Sequence, residues 1–244
     1  MKKNIIWLIG LTLVLLTACV NPFQNTRING SGNVVSEERQ VFGFKYVVLE
    51  GMGDMEIIVG DTESLTIEAE DNIISRIESY VSGDTLHIGF ERFFSIIPTK
   101  GITYTLTVKD LNGIEVSGYG DVYILELTTD HLDVEVSGGG WIAIDNLNAD
   151  ELNVKLSGAG DFDISGAVKK QEISLSGAGS YKAEDLRSEF AEIDISGAGS
   201  AQLWVTDRLD VNLSGVGSLQ YYGEADVNQN ISGVGKVISL GVHD

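Results

Sequence analysis

The chain has 244 residues, with 36 acidic and 16 basic side chains and a formal net charge of −20. A body so acidic repels nucleic acid and anionic headgroups, which argues against either as a direct partner. The single cysteine excludes internal disulfides and thiolate metal centres, so stability has to come from burial and hydrogen bonding.

The first residues carry the three parts of an export signal. Lys2 and Lys3 are its positive start, residues 5–16 its apolar run, and Leu16-Thr17-Ala18-Cys19 its end. Leu-Thr-Ala-Cys resembles the bacterial lipobox, which implies diacylglyceryl transfer to the Cys19 sulfur, cleavage after Ala18 and acylation of the new amine. An N-terminal membrane helix is the alternative, but the apolar stretch is short against the ~20 residues a bilayer core requires. Residues 1–18 are thus expected to be a lipoprotein signal peptide, residues 19–30 a lipidated tether and residues 31–244 one domain. Removing Lys2 and Lys3 takes the charge from −20 to −22, so attachment to the membrane falls to the lipid. The expected location is the cell envelope, at the outer membrane in a Gram-negative cell, with the leaflet open.

Residues 31–112 form a less regular half. Residues 56–59, 64–70, 86–90 and 102–108 read as strands, and residues 71–76 as a turn or a single helical turn. Residues 90–98 carry Phe93, Phe94, Ile96 and Ile97 in a loop-like context. This half reads as one sheet system with residues 113–244, degenerate in form and capping one end; a separate small domain is the alternative.

Residues 113–244 repeat. Ser-Gly-x-Gly occurs at Ser117-Gly118-Tyr119-Gly120 and again from Ser137, Ser157, Ser176, Ser196, Ser214 and Ser232. The spacings are 20, 20, 19, 20, 18 and 18 residues, too even for chance. Weaker echoes stand at Asn29-Gly30-Ser31-Gly32 and Glu50-Gly51-Met52-Gly53. Before each serine the apolar residues alternate, as in Leu132/Val134/Val136 and Leu152/Val154/Leu156. After each turn they alternate again, as in Val122/Ile124 and Ile142/Ile144. Period two with β-branched residues is strand chemistry. The interleaved Asp133, Glu135, Asn153 and Lys155 make one face wet.

Strands ~19 residues apart are either successive hairpins or successive coils of a solenoid. The near-identity of the glycine turns favours coils, in which each residue type lies ~4.8 Å above its equivalent. Glycine there permits positive φ at the corner, its lack of Cβ lets coils approach, and stacked serines can hydrogen-bond along the column. The expected fold is all-β, a right-handed parallel β-helix, its hand following the general rule for parallel crossovers. A sandwich or barrel is the alternative.

Gly43-Phe44-Lys45 after Arg39-Gln40-Val41, then Glu50-Gly51-Met52-Gly53-Asp54, then the Ser-Gly-x-Gly series, resembles the auto-transporter adhesin head GIN domain. The likeness runs from about Val34 to the C-terminus. It implies a secreted or lipid-anchored β-helical domain and carries no binding residues onto this sequence.

No catalytic constellation and no cofactor motif stands out. The glycine turns do not extend to a dinucleotide fingerprint or a phosphate loop, and His87, His131 and His243 lack zinc spacing. Four residues before each serine stand Asp133, Asn153, Glu172, Glu192, Asp210 and Asn228, expected to stack in one column. That column is a solvated face, or a weak divalent-cation site around Glu172, Glu192, Asp194 and Asp210. Tyr123 and Trp141 fall on outward phases of adjacent coils, with Tyr119 at the turn. They are either covered by the N-terminal half or form a shelf for a glycan or protein partner.

These readings point to a non-enzymatic, lipid-anchored envelope protein with a binding or scaffolding solenoid. The alternative is a polysaccharide lyase or hydrolase, which a stacked acid triad with a nearby Arg in a deep groove would support. Residues 241–244 look too short to close a terminal coil of ~60 Å perimeter, estimated from ~19 residues at ~3.3 Å each. Contact of the C-terminal edge with a second copy or a partner protein is therefore expected.

Overall fold

The computed structural model describes residues 26–243, and Cys19 and the export signal lie outside them. In chain order the less regular half contains β1 (Thr26–Asn29), β2 (Val34–Arg39), β3 (Tyr46–Leu49), β4 (Asp54–Val59) and β5 (Ser64–Glu70). A single helical turn, α1 (Asp71–Ile74), leads to β6 (Ile77–Ser82), β7 (Thr85–Phe90), β8 (Phe94–Ile97) and β9 (Thr103–Val108). The regular half begins with β10 (Gly113–Val116), β11 (Val122–Ile124) and β12 (Leu127–Val136). Long bent strands follow: β13 (Gly139–Leu156), β14 (Ala159–Leu175), β15 (Ala178–Ile195) and β16 (Ala198–Leu213). Shorter ones end it: β17 (Val216–Tyr222), β18 (Asp226–Ile231) and β19 (Val234–Gly241).

These strands wind a β-solenoid of about six turns. One side stacks β10, β12, β13, β14, β15, β16 and β18, and the next stacks β11, β13, β14, β15, β16, β17 and β19, every pair parallel. Alternation does the sorting. Leu132, Leu152, Leu209, Ile142, Phe162 and Tyr181 point inward and are buried, while the residues between them face water. The Ile142–Phe162–Tyr181–Ala201 column shows how volume is balanced: two tilted rings 6.1 Å apart are followed by an alanine. Repeats of different length are accommodated at corners: the register shifts after the second side between Ile144 and Leu147, Asp163 and Gly166, and Ala183 and Arg187, and again between Ser188 and Phe190.

The glycine turns stack as a column, but positive φ is not what demands the first glycine. Gly177 and Gly197 lie outside that region. A Cβ on either would stand 2.0 Å from the carbonyl oxygen of the glycine one coil below. Close approach of backbones selects the residue. The echo at Gly51 and Gly53 joins this column, since a Cβ on Gly118 or Gly120 would strike their carbonyl oxygens at 1.7 and 1.9 Å. The echo at residues 29–32 does not join it: Gly30 and Gly32 lie against Glu70 instead.

In the N-terminal half the order in space departs from the order in sequence. The coil of β3 and β4 lies under β10 and β11, yet β7 and β9, later in the chain, stack beneath it. The chain thus lays one coil, passes below it to lay another, and climbs past both to begin the repeats. Below β9 and β7 the pairing turns antiparallel, through β5 and β6, with β2 outside β5. Residues 26–29, expected to belong to the tether, form β1 and pair parallel with β8.

Candidate functional site

Outward residues of the two parallel sides change character along the solenoid. From β14 onward most are polar: Asp161, Asp163, Ser180, Lys182, Ser200 and Gln202 on the second side, with Glu172, Ser174, Glu192 and Asp194 on the first. The exceptions are Phe190, 45% exposed, and Trp204 and Tyr222, both in contact with His243. In the coils nearest the N-terminal cap, aromatic side chains take these places.

On the second side Tyr123 stands opposite Ala143, and Trp141 opposite Asp121. Tyr123 and Trp141 are diagonal neighbours, about 8 Å apart from a ~4.8 Å strand spacing and two residues of ~3.3 Å rise. Ala143 faces outward between them, yet only 2% of it is exposed and it lies outside the solenoid core, so the larger side chains cover it. The Tyr123 hydroxyl donates to Asp145 Oδ2 at 2.7 Å. That bond, then burial and the nearby Asp145 and Glu56 charges, hold the phenol above its usual range. The Trp141 amide donates to Asp121 Oδ1 at 2.9 Å. Trp141 remains 42% exposed and Tyr119, at the corner, 71% exposed, so the N-terminal half does not cover them.

Around the corner, on the first side, lies a concavity of about 430 Å³ that sequence reasoning missed. Its walls include Tyr46, Val48, His87, Glu115 and Lys155. Gly113 creates it: the position holds Asp133 and Asn153 in the next coils, and a Cβ here would meet the Tyr46 ring at 2.5 Å. His87 stacks on Tyr80 at 5.0 Å and 15°. The signal was present in the sequence as the one glycine in a column of polar residues, but β3 and β7 had to be placed beneath it first.

The acidic column forms as expected: Asp133, Asn153, Glu172, Glu192, Asp210 and Asn228 are in register. Three of its four carboxylates, Asp133, Glu172 and Asp210, have polar or basic neighbours. Arg208 grips Asp210 through two hydrogen bonds of 2.7 and 3.0 Å and, with Asn228, holds that carboxyl below its usual range. Lys170 pairs with Glu172, and His131 lies 3.0 Å from Asp133. Asp194 sits two residues along from Glu192. Among the described residues no three acidic, His or Cys side chains converge as a metal site. Glu172, Glu192 and Asp194 line a depression of about 240 Å³, below the ~300–1,000 Å³ of typical ligand pockets, and neither Asp210 nor Arg208 lines it.

The comparisons agree with this architecture. The family model described as "Putative auto-transporter adhesin, head GIN domain" matches residues 43–225. No curated protein matches in sequence. A crystal structure of a "putative adhesin" from Bacteroides fragilis is 29% identical, covering 87% of this chain and 100% of that one, with a TM-score of 0.84. A "putative lipid binding protein" from Parabacteroides distasonis is 22% identical, covers 88% and 100%, and has a TM-score of 0.74. A "putative adhesin" from Parabacteroides merdae is 20% identical, covers 88% and 99%, and has a TM-score of 0.69. Below 25% identity such likeness speaks to the fold alone. With 183 of its 244 residues (43–225) inside the family model, the chain belongs to the head GIN domain family.

Proposed function

We propose that the protein is a non-enzymatic, adhesin-like binding module, lipid-anchored in the cell envelope through Cys19, whose ligand is a neutral glycan. One observation carries the reading: Tyr119 and Trp141 stand exposed on adjacent coils at one corner, with Tyr123 beside Trp141. Trp141 and Tyr123 offer flat faces to sugar C–H groups, and Asp121 and Asp145 stand beside them as acceptors for hydroxyls. The acidity of the surface disfavours anionic sugars. The family and the adhesin-named structural relatives support a binding role at the cell surface or in the envelope.

The test uses secreted Cys19→Ser protein on an array of neutral and anionic glycans. A Trp204→Phe background leaves Trp141 as the fluorescent reporter once the leader, with Trp7, is removed. Saturable binding of neutral glycans, with a shift in Trp141 emission, is expected. It should weaken at least ~10-fold in Trp141→Ala, a loss of ~1.4 kcal/mol. Binding that ignores Trp141→Ala and Tyr123→Ala, or binding of protein partners only, would overturn the assignment.

A further inference from the structure

The two ends of the solenoid are finished differently. At the N-terminal end β5 closes the edge of β9 and β6 that of β7. Arg39 then donates to the carbonyl oxygens of Ile77 at 2.7 Å and Ile74 at 3.0 Å. At the other end, among the described residues, β18 pairs only with β16 and β19 only with β17. Their outer edges meet no further strand.

Among the described residues, Val242 and His243 do not close this opening. Past Gly241 they turn along the outside of the stack, where His243 lies on Trp204 at 4.2 Å and 10° and within 3.3 Å of Asp185. Val227 and Ile231, which continue the buried columns of Leu209 and Leu213, are left at the mouth, Ile231 40% exposed.

The composition of the edge says what fits it. The outward columns run through Asp133, Asn153, Glu172, Glu192 and Asp210, and through Glu135, Lys155, Ser174, Asp194 and Asn212, before ending at Asn228 and Asn230. With a net charge of −20, an acidic edge would repel a second copy. An amide both donates and accepts, so it complements its own image. Antiparallel pairing of β18 with a second β18, centred on Gln229, sets Asn228 opposite Asn230 outside. Inside, it sets Val227 opposite Ile231.

We propose that two copies of this chain join end to end through β18, paired antiparallel about a two-fold axis at Gln229. A two-fold pair uses the β18 edge of both copies, so association through this edge closes at two.

The test is sedimentation equilibrium of secreted, cysteine-free Cys19→Ser protein across the micromolar range, with two further variants. The parent should dimerise. Asn228→Asp combined with Asn230→Asp should weaken dimerisation at least ~10-fold through like-charge repulsion across the pair. The fold should survive, since Glu192 already stacks against Asp210 of the adjacent coil. Gln229→Cys should give a disulfide dimer on mild oxidation, because opposed residues of antiparallel strands lie ~5 Å apart at Cα, within disulfide reach. Val234→Cys, on the exposed corner, should not. A monomer at every concentration would overturn the proposal. So would a dimer that tolerates both Asp substitutions and escapes capture by Gln229→Cys.

Discussion

The carboxylate of Glu70 occupies the space a side chain at Gly30 would need: a Cβ there would stand 1.8 Å from Glu70 Oε2. Glu70 is buried, and it accepts from the Gly32 amide at 2.6 Å, the Thr99 amide at 2.8 Å and the Thr99 hydroxyl at 2.5 Å. Next to it, Asp71 accepts from Ser31 Oγ and Asn33 Nδ2, and Asn72 Oδ1 from the Ser31 amide. Glu70, Asp71 and Asn72 thus clasp residues 29–33, fixing where the chain enters the domain from its N-terminal side.

The clasp should open in acid. Burial pushes the Glu70 carboxyl up, but hydrogen bonds from Thr99, Gly32 and Lys100 outweigh it and hold the group below its ordinary 4.5. A carboxyl lowered on folding contributes stability that is fully present above the unfolded value and is lost as pH falls through the folded one. Protection of the Gly32 and Thr99 amides, the slowing of their exchange relative to the intrinsic rate at each pH, should therefore be high above pH 4.5 and fall below it. Glu70→Gln should leave both amides poorly protected throughout, and pH-independent protection in the parent would contradict the assignment.

Gly177→Ala should cost about 1–3 kcal/mol or more, since the new Cβ meets backbone that belongs to the next coil and cannot rotate away. Ala178→Val is the control. Val216 and Val234 already hold that exposed column position, so urea midpoints should shift by no more than about 0.5 kcal/mol. Equal losses in both variants would mean that coil contact does not select the glycine.

A buried polar chain crosses the core. The Tyr181 hydroxyl donates to Gln171 Oε1 at 2.9 Å, Gln171 Nε2 donates to Ser188 Oγ at 2.8 Å, and Ser188 donates to the Trp204 carbonyl at 2.9 Å. Gln171→Ala should cost about 2–4 kcal/mol, for the cavity and for a phenol left without an acceptor. Gln171→Leu combined with Tyr181→Phe should recover most of it in equilibrium unfolding. A double variant as unstable as Gln171→Ala would show that the chain does more than satisfy its own polar atoms.

Cys19→Ser should move the protein from the membrane to the soluble fraction and abolish the mass added by acyl chains. Retention in the membrane with an unchanged mass would show that something other than lipid on Cys19 anchors the chain.

Much of the regular half was legible in order. Period two told inward from outward residues, and near-constant spacing placed Asp133, Asn153, Glu172, Glu192, Asp210 and Asn228 in one column, as the register has them. The strands at residues 64–70 and 102–108 and the helical turn at Asp71 were readable from the same local signals. Which strand lies on which was not. Ladder hydrogen bonds join backbone groups that every residue shares, so without a repeat nothing local says that β7 belongs beneath β3 or that β5 runs against β9. Only the tertiary structure decided that β3 lies under Gly113, which opens the concavity beside Tyr46, and that Glu70 stands where Gly30 has no side chain. Both depend on segments distant in the chain meeting at van der Waals range, a condition that alternation cannot encode. The repeat determined the faces; the N-terminal crossover decided what stands on them.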